Sequence, residues 1–224
     1  MEGKIVHMGQ DDTSLTEFYD VRYVHDPVLL LDDLGERIIR INQDWKLGIC
    51  GQLWDASYVV SRFIKDIDFR GKKVLELGAG TALPSIVACI GGGEVYTTDI
   101  MPGLKLSEQN LEENKELFTG SYLVSELDWR NEEQREILKA REYDYIVFSD
   151  LFYLPSLAND FCNTLHYLCS EKTQVIMTYK FRVSHTINPY LEGLQSRFEF
   201  QYNDEFVRSV HNCSSIRLAL LRKI

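Results

Sequence analysis

Apolar positions recur along the chain at two spacings. From Gln52 to Ile67, the residues Leu53, Ala56, Val59, Val60, Phe63, Ile64 and Ile67 follow the rhythm of a helix with one broad apolar face. Ahead of it, Pro27–Leu31 and Arg37–Ile41 are strand-like and flank the turn residues Asp32 to Gly35, which predicts a hairpin. Leu47 to Gly51, with two glycines, reads as a loop. Beyond Lys73 short apolar runs alternate with helical periodicity. The predicted strands are Val74–Leu77, Glu94–Thr98, Tyr122–Leu127, Tyr143–Phe148, Gln174–Thr178, Phe198–Tyr202 and Ile216–Leu221. The predicted helices are Ala82–Ile90, Gly103–Leu117, Glu132–Ala140, Ser156–Cys169 and Asn188–Ser196. Asn131 followed by Gln134 resembles a capping box, and Pro84 falls in a first helical turn, where its missing N–H costs little. Such alternation predicts an α/β fold, a mostly parallel sheet covered by helices on both faces. Ligands of such sheets lie beyond the carboxyl ends of the strands, so those ends are where chemistry is expected.

Length and composition add bounds. The 224 residues predict a single domain over residues 25–224, preceded by a flexible polar segment over residues 1–24. The net charge of −10 argues against non-specific nucleic-acid binding, which needs a basic footprint. It suits either a cationic protein partner or simple solubility. Five widely spaced cysteines without a CxxC pair predict free thiols in a reducing compartment. With no signal-like or membrane-length apolar run, the cytoplasm is the expected location, the nucleus being the other compartment left open.

The first strand of the alternating region ends in Glu76-Leu77-Gly78-Ala79-Gly80. Glycines there let the backbone turn tightly against a ligand, although a plain strand-to-helix turn needs them too. A dinucleotide site would want a third glycine where this chain has Leu83, and no GK[ST] follows for a phosphate loop. A carboxylate at Glu76 would repel a pyrophosphate but could hold an ammonium or sulfonium group. S-adenosylmethionine carries both cations and no phosphate. Asp99, 21 residues after Gly78, stands where a ribose diol is gripped in such folds, or where a helix is capped. Asp128-Trp129 could accept from an adenine amine and contact its ring, unless the indole is a core residue. Asp150 and Tyr153 in Ser149-Asp-Leu-Phe-Tyr could bind and orient an amine, or serve as a strand-end cap and a packing residue. The five histidines show no HxH or HxxxH spacing, so no metal site is expected, and no GxSxG elbow is present.

These residues together resemble the seven-strand class I methyltransferases, and among them methyltransferase family 16. The matching stretches are Gly51-Gln-Leu-Trp-Asp-Ala56, Val74–Gly80, Asp99, Asn110 with Asn114, Asp128-Trp129 and Ser149–Tyr153, in the family's order. The resemblance implies a Rossmann-like seven-stranded sheet whose last strand is antiparallel. It implies S-adenosylmethionine as cofactor, with Trp54, Gly78, Ala79, Gly80, Asp99, Trp129 and Ser149 lining its site. It implies that Asp150 and Tyr153 recognise the target amine, most often a lysine of a protein such as a chaperone or translation factor. The expected enzyme is a monomeric N-methyltransferase without nucleic-acid or membrane partners. Ser149 and Phe152 depart from the family's usual residues, and Thr178-Tyr-Lys-Phe-Arg182 is a basic stretch like the family's own after its fifth strand. An arginine, a histidine or a small amine as acceptor, and a non-catalytic binding module, are the competing readings.

Overall fold

A computed structural model describes residues 3–6, 8, 23 and 25–224. The main sheet has seven strands: β4 (Lys73–Leu77), β5 (Glu94–Asp99), β6 (Ser121–Glu126), β7 (Tyr145–Ser149), β8 (Gln174–Lys180), β9 (Phe198–Tyr202) and β10 (Ile216–Lys223). Their spatial order is β6-β5-β4-β7-β8-β10-β9. All neighbours pair in parallel except β10, which runs antiparallel to both β8 and β9. The seven expected strands are all present, and the last one in the chain is the antiparallel one.

Strand alternation divides the core in two. On β4, Val74 faces one apolar cluster, while Leu75 and Leu77 face the other. The first cluster takes residues from α1 (Asp55–Ile64), α2 (Leu83–Ile90), α3 (Gly103–Asn114) and α7 (Asp204–Val210). The second takes α4 (Glu132–Lys139), α5 (Ala158–Leu168) and α6 (Ser184–Gln195). Helices therefore cover both faces, as parallel strands require.

A second, three-stranded sheet stands beside α3. In it β2 (Val28–Leu31) pairs antiparallel with β3 (Ile39–Asn42) as the expected hairpin, and β1 (Lys4–Ile5) adds in parallel to β2. So Lys4 and Ile5, from the segment read as flexible, are in a strand, and Val6 and Met8 are buried. Gly3 and Tyr23 are also described; the other residues of that segment, His7 among them, lie outside the described residues. Asn110 and Asn114, one turn apart on α3, satisfy the outer edge of β3. Asn110 accepts from the Asn42 amide at 2.7 Å and donates to its carbonyl at 3.0 Å; Asn114 does the same at Arg40, at 2.9 and 2.6 Å. Two carboxamides thus stand in for a neighbouring strand and dock the small sheet on the helix.

Helices differ most from expectation in three places. The glycine-containing loop at 47–51 is part of a 3-10 segment, Trp45–Gly51. Helix α6 begins four residues before the expected Asn188 and accommodates Pro189 inside it. Helix α7 was not expected at all. Asn131 accepts from the Gln134 amide at 3.2 Å, but Gln134 reaches the Asp128 amide at 2.7 Å, so half of the capping box forms. The five cysteines are free thiols. Among the described residues no helix is long and apolar enough to cross a membrane, and no group of three or more His, Cys, Asp or Glu side chains is placed to hold a metal ion.

Candidate functional site

The chain runs from β4 outward to β5 and β6, then crosses back to β7, so the strand order reverses between β4 and β7. A cleft of about 790 Å³ opens above this reversal. Its walls contain Trp54, Gly78, Ala79, Gly80, Asp99, Asp128, Trp129, Ser149, Asp150 and Tyr153. Ten of the eleven expected site residues thus meet in one place, drawn from the ends of β4, β5, β6 and β7 and the start of α1.

The glycine loop is held from several sides. Gly78 and Gly80 have φ of 60° and 53°, a region costly for other residues. A Cβ on Gly78 would come within 2.4 Å of the Leu151 side chain, and one on Gly80 within 3.1 Å of the Cys50 carbonyl. The Ala79 amide donates to the Thr98 carbonyl at 3.0 Å. Ser107 and Asn110 of α3 donate to the carbonyls of Gly80 and Thr81 at 2.8 and 3.0 Å. The loop is a rigid cradle kept bare of side chains.

Asp99 closes the cradle. One carboxylate oxygen accepts from the Gly80 amide at 2.7 Å and the other from the Ile100 amide at 2.7 Å. A carboxylate offers about four acceptor positions, so two remain for a ligand. Burial pushes its pKa up, and the two amide donors oppose that rise. Two spare acceptor positions beside a bare glycine turn suit a vicinal diol.

Glu76 is placed differently from the rest. It lies buried beneath the loop and does not reach the cleft. Its carboxyl accepts from the amide (2.9 Å) and hydroxyl of Ser85 in the first turn of α2. Desolvation pushes its pKa up to about 8, against the lowering pull of those bonds. In this position it supports the turn, and near pH 7 it is not the counter-ion to a ligand cation that the sequence suggested.

At the far end of the cleft, Trp129 meets Phe161 edge to face at 4.8 Å, and its carbonyl accepts from Thr164 at 2.9 Å. Asp128 is held by Arg130 through two side-chain bonds, 2.9 and 2.6 Å, and a backbone bond at 3.0 Å, which lower its pKa. It remains in the cleft wall, with part of its accepting capacity committed to Arg130.

A second cavity of about 640 Å³ joins the first along Ile49, Trp54, Asp150 and Tyr153. Asp150 has φ of 56°, left-handed backbone that Asp tolerates better than most residues. Its carboxylate accepts from Arg182 at 2.7 and 2.6 Å and from the Lys180 amide at 3.1 Å. The Arg182 guanidinium also lies 5.6 Å from the centre of the Trp54 ring. Tyr153 is pushed up to about 12 by burial first and then by the nearby Asp99 and Cys50. Behind this wall, the Lys180 ammonium is 3.9 Å from Asp55, which is 3.3 Å from His211, all three buried. Sequence reasoning noticed the basic stretch ending at Arg182 without assigning it a partner. It gave no role to Cys50, Thr81, Arg130 or Leu151, which also line the cleft; only the loop contacts identify them.

The family model for lysine methyltransferases matches residues 33–197, a span that includes every one of these wall residues. The chain belongs to the lysine methyltransferase family. Among its relatives, protein N-lysine methyltransferase METTL21A of Danio rerio is 36% identical over 172 residues, 75% of this chain and 78% of the relative. EEF1A lysine methyltransferase 3 of Xenopus tropicalis is 30% identical over 164 residues, covering 71% of each. Solved structures share the fold at low identity. The T. thermophilus 16S rRNA N2 G1207 methyltransferase, in complex with AdoMet and guanosine, superposes with a TM-score of 0.59 at 18% identity, over 84% of this chain and 48% of that one. The Synechocystis magnesium protoporphyrin IX methyltransferase, with bound SAM, gives 0.52 at 16% identity, over 75% and 77%. The enzyme is accordingly an S-adenosylmethionine-dependent lysine methyltransferase by family, with the Rossmann-like fold expected of it.

Proposed function

We propose that this lysine methyltransferase acts on a lysine side chain of a protein substrate, using the two joined cavities as donor and acceptor sites. The observation that carries the reading is their meeting along Trp54, Asp150 and Tyr153, with the glycine loop in the wall of the first cavity alone. Gly78, Ala79 and Gly80 cradle the cofactor, Asp99 takes the ribose hydroxyls, and Trp129 with Asp128 borders the adenine. Ser149 and Trp54 complete that wall. S-adenosylmethionine supplies an activated methyl group on a sulfonium, so no covalent link to the enzyme is required.

The chain's own task is alignment. A nucleophile gains most when held about 3–3.5 Å from the reacting carbon in the right direction. Asp150 accepts an N–H of the incoming amine, and the Tyr153 ring borders its path. Lysine has a free pKa near ~10.4 and reacts only without its proton. Entering a half-enclosed cavity lowers that pKa, because desolvation disfavours the ammonium form. The acidic chain, at net −10, draws a lysine-rich protein surface toward it. The relatives' names point to proteins as acceptors, a translation factor among them. Five free thiols support a reducing compartment, the cytoplasm with the nucleus as a second site, and a monomer is the working assembly.

The test is incubation with radiolabelled S-adenosylmethionine and a cell extract, resolved by gel and mass spectrometry. A discrete labelled protein band carrying methyllysine is the expected result. Label confined to small molecules, or methylation mapped only to arginine or histidine, would overturn the reading.

A further inference from the structure

The second cavity has two ends of different character. Ile49, Trp54, Asp150 and Tyr153 form its junction with the first, where methyl group and amine meet in the reading above. Its other end is lined by Phe152, Arg182, Val183, Thr186 and Ile187, none of which lines the first cavity. Phe152, Val183 and Ile187 give that end an apolar wall, and packing holds the wall in place. Phe152 stacks on Tyr190 with ring centres 4.7 Å apart and lies 5.3 Å from the Tyr179 ring. The Tyr190 hydroxyl donates to the Leu154 carbonyl at 2.6 Å, and Ile187 is buried in the core beneath α6. Val183 and Thr186, at the start of α6, are half-buried. A preformed apolar wall with a few polar groups at one end is the usual make-up of a ligand site.

A lysine side chain alone does not fill this space. Its four methylenes and nitrogen occupy about 150 Å³, taking ~30 Å³ for each water-sized group. The cavity with its mouth is about 640 Å³. An extended chain rises about 3.3 Å per residue and sends alternate side chains to the same side. A residue two positions from the lysine therefore enters the same cavity about 6.6 Å away, while an adjacent residue points out of it. Apolar surface also continues at the mouth. Ile49 and Tyr153 in the wall, Leu154 after Tyr153 and Phe181 before Arg182 are all exposed. Exposed apolar side chains gathered at one opening, unlike single scattered ones, mark an interaction site.

We propose that the α6 end of the second cavity is a subsite for a large apolar side chain two positions from the target lysine, on an extended segment of the protein substrate. The inference rests on the reading of this cavity as the acceptor site. The lysine amine reaches Asp150 while its apolar neighbour packs on Phe152, Val183 and Ile187. The subsite touches none of the reacting atoms. It selects among lysines by their surroundings and disfavours one that lies in a purely polar stretch.

The probes are synthetic peptides of serine and glycine around a single lysine. One leucine stands two positions before the lysine, two positions after it, next to it, or nowhere. Their methylation by the whole enzyme is followed with radiolabelled S-adenosylmethionine. In the wild type, leucine two positions away on one side should raise kcat/KM about tenfold or more over the peptide without it, the scale of an apolar group in a fitting pocket. The gain should lie mainly in KM, because the contact is the same in ground and transition states. Leucine next to the lysine should change kcat/KM less than about threefold, since it points away. Val183→Asp puts a charge in the subsite, and the ratio between leucine and leucine-free peptides should fall to about one. Val183 lies outside the cofactor wall, so S-adenosylhomocysteine binding identifies folded protein; if it is lost, Thr186→Asp on the same wall takes its place. Equal rates with and without leucine would leave the apolar end to the lysine's own stem and overturn the proposal. An equal preference for the adjacent position, a ratio kept in the folded variant, or no labelling of any peptide would overturn it too. With a protein band still labelled in extract, only the subsite falls; with neither peptide nor protein labelled, the function falls with it.

Discussion

The two halves of the cleft are built on different principles. The half proposed to hold the donor is made of backbone. Its glycine loop, its amides and one aspartate come from β4 and β5, and helix α3 holds their carbonyls. The half proposed to hold the acceptor is made of side chains, and its central carboxylate is paired with a residue 32 positions away. A backbone cradle fixes shape and admits one ligand. A side-chain pair fixes charge and can be retuned by single substitutions.

The comparison can be broken most severely on the donor side. Gly78→Val puts a branched side chain at φ 60° and drives its Cβ into Leu151. Cofactor affinity by isothermal titration should fall more than about 100-fold, and an affinity within threefold of wild type would refute the cradle. On the acceptor side, Asp150→Asn keeps a residue that tolerates left-handed backbone but removes the charge. The rate of labelling should fall about 100-fold or more, the scale expected when a reactant is misplaced by about 1 Å. Asp99→Asn should weaken the cofactor by about 10- to 100-fold, the value of one or two charge-assisted hydrogen bonds at about 1.5–3 kcal/mol.

The smallest effect concerns stability alone. The Glu76 carboxyl has its pKa raised to about 8 in the fold, against an ordinary 4.5, because burial disfavours its charged form. The folded state therefore binds the proton more tightly than the unfolded chain does. Its contribution is full below about pH 4.5 and is lost as pH rises toward about 8. Melting temperature should decline across that interval. Glu76→Gln, neutral throughout, should show a flatter profile and melt about 2–4 °C higher near pH 8, roughly 1 kcal/mol. Parallel profiles for the two proteins would contradict the buried-acid account.

Legibility in the sequence follows the same division. The glycine loop, Asp99 and Asp128-Trp129 are local signals at strand ends, and local signals can be read from a linear chain. The direction of Glu76, which the sequence reading turned toward a ligand, follows from strand alternation, because Leu75 and Leu77 face one core. That period places Glu76 on the α2 side, under the loop. The grip of Arg182 on Asp150 was not legible, since it depends on β7 and β8 lying side by side. Helix α6 was expected only from Asn188, whereas it starts at Ser184, and packing of Ile187, Tyr190 and Leu194 carries it through Pro189. Helix α7 has its own signal in Asn203, which caps the Phe206 amide at 3.1 Å ahead of two acids. At seven residues it was too short for periodicity to reveal.

The claim that donor and acceptor sites are separable is tested most directly by titrating S-adenosylhomocysteine into Asp150→Asn and measuring methyl transfer by the same preparation. The account predicts cofactor affinity within about twofold of wild type and transfer reduced about 100-fold or more. Loss of cofactor affinity in parallel with transfer, or transfer left intact, would contradict it.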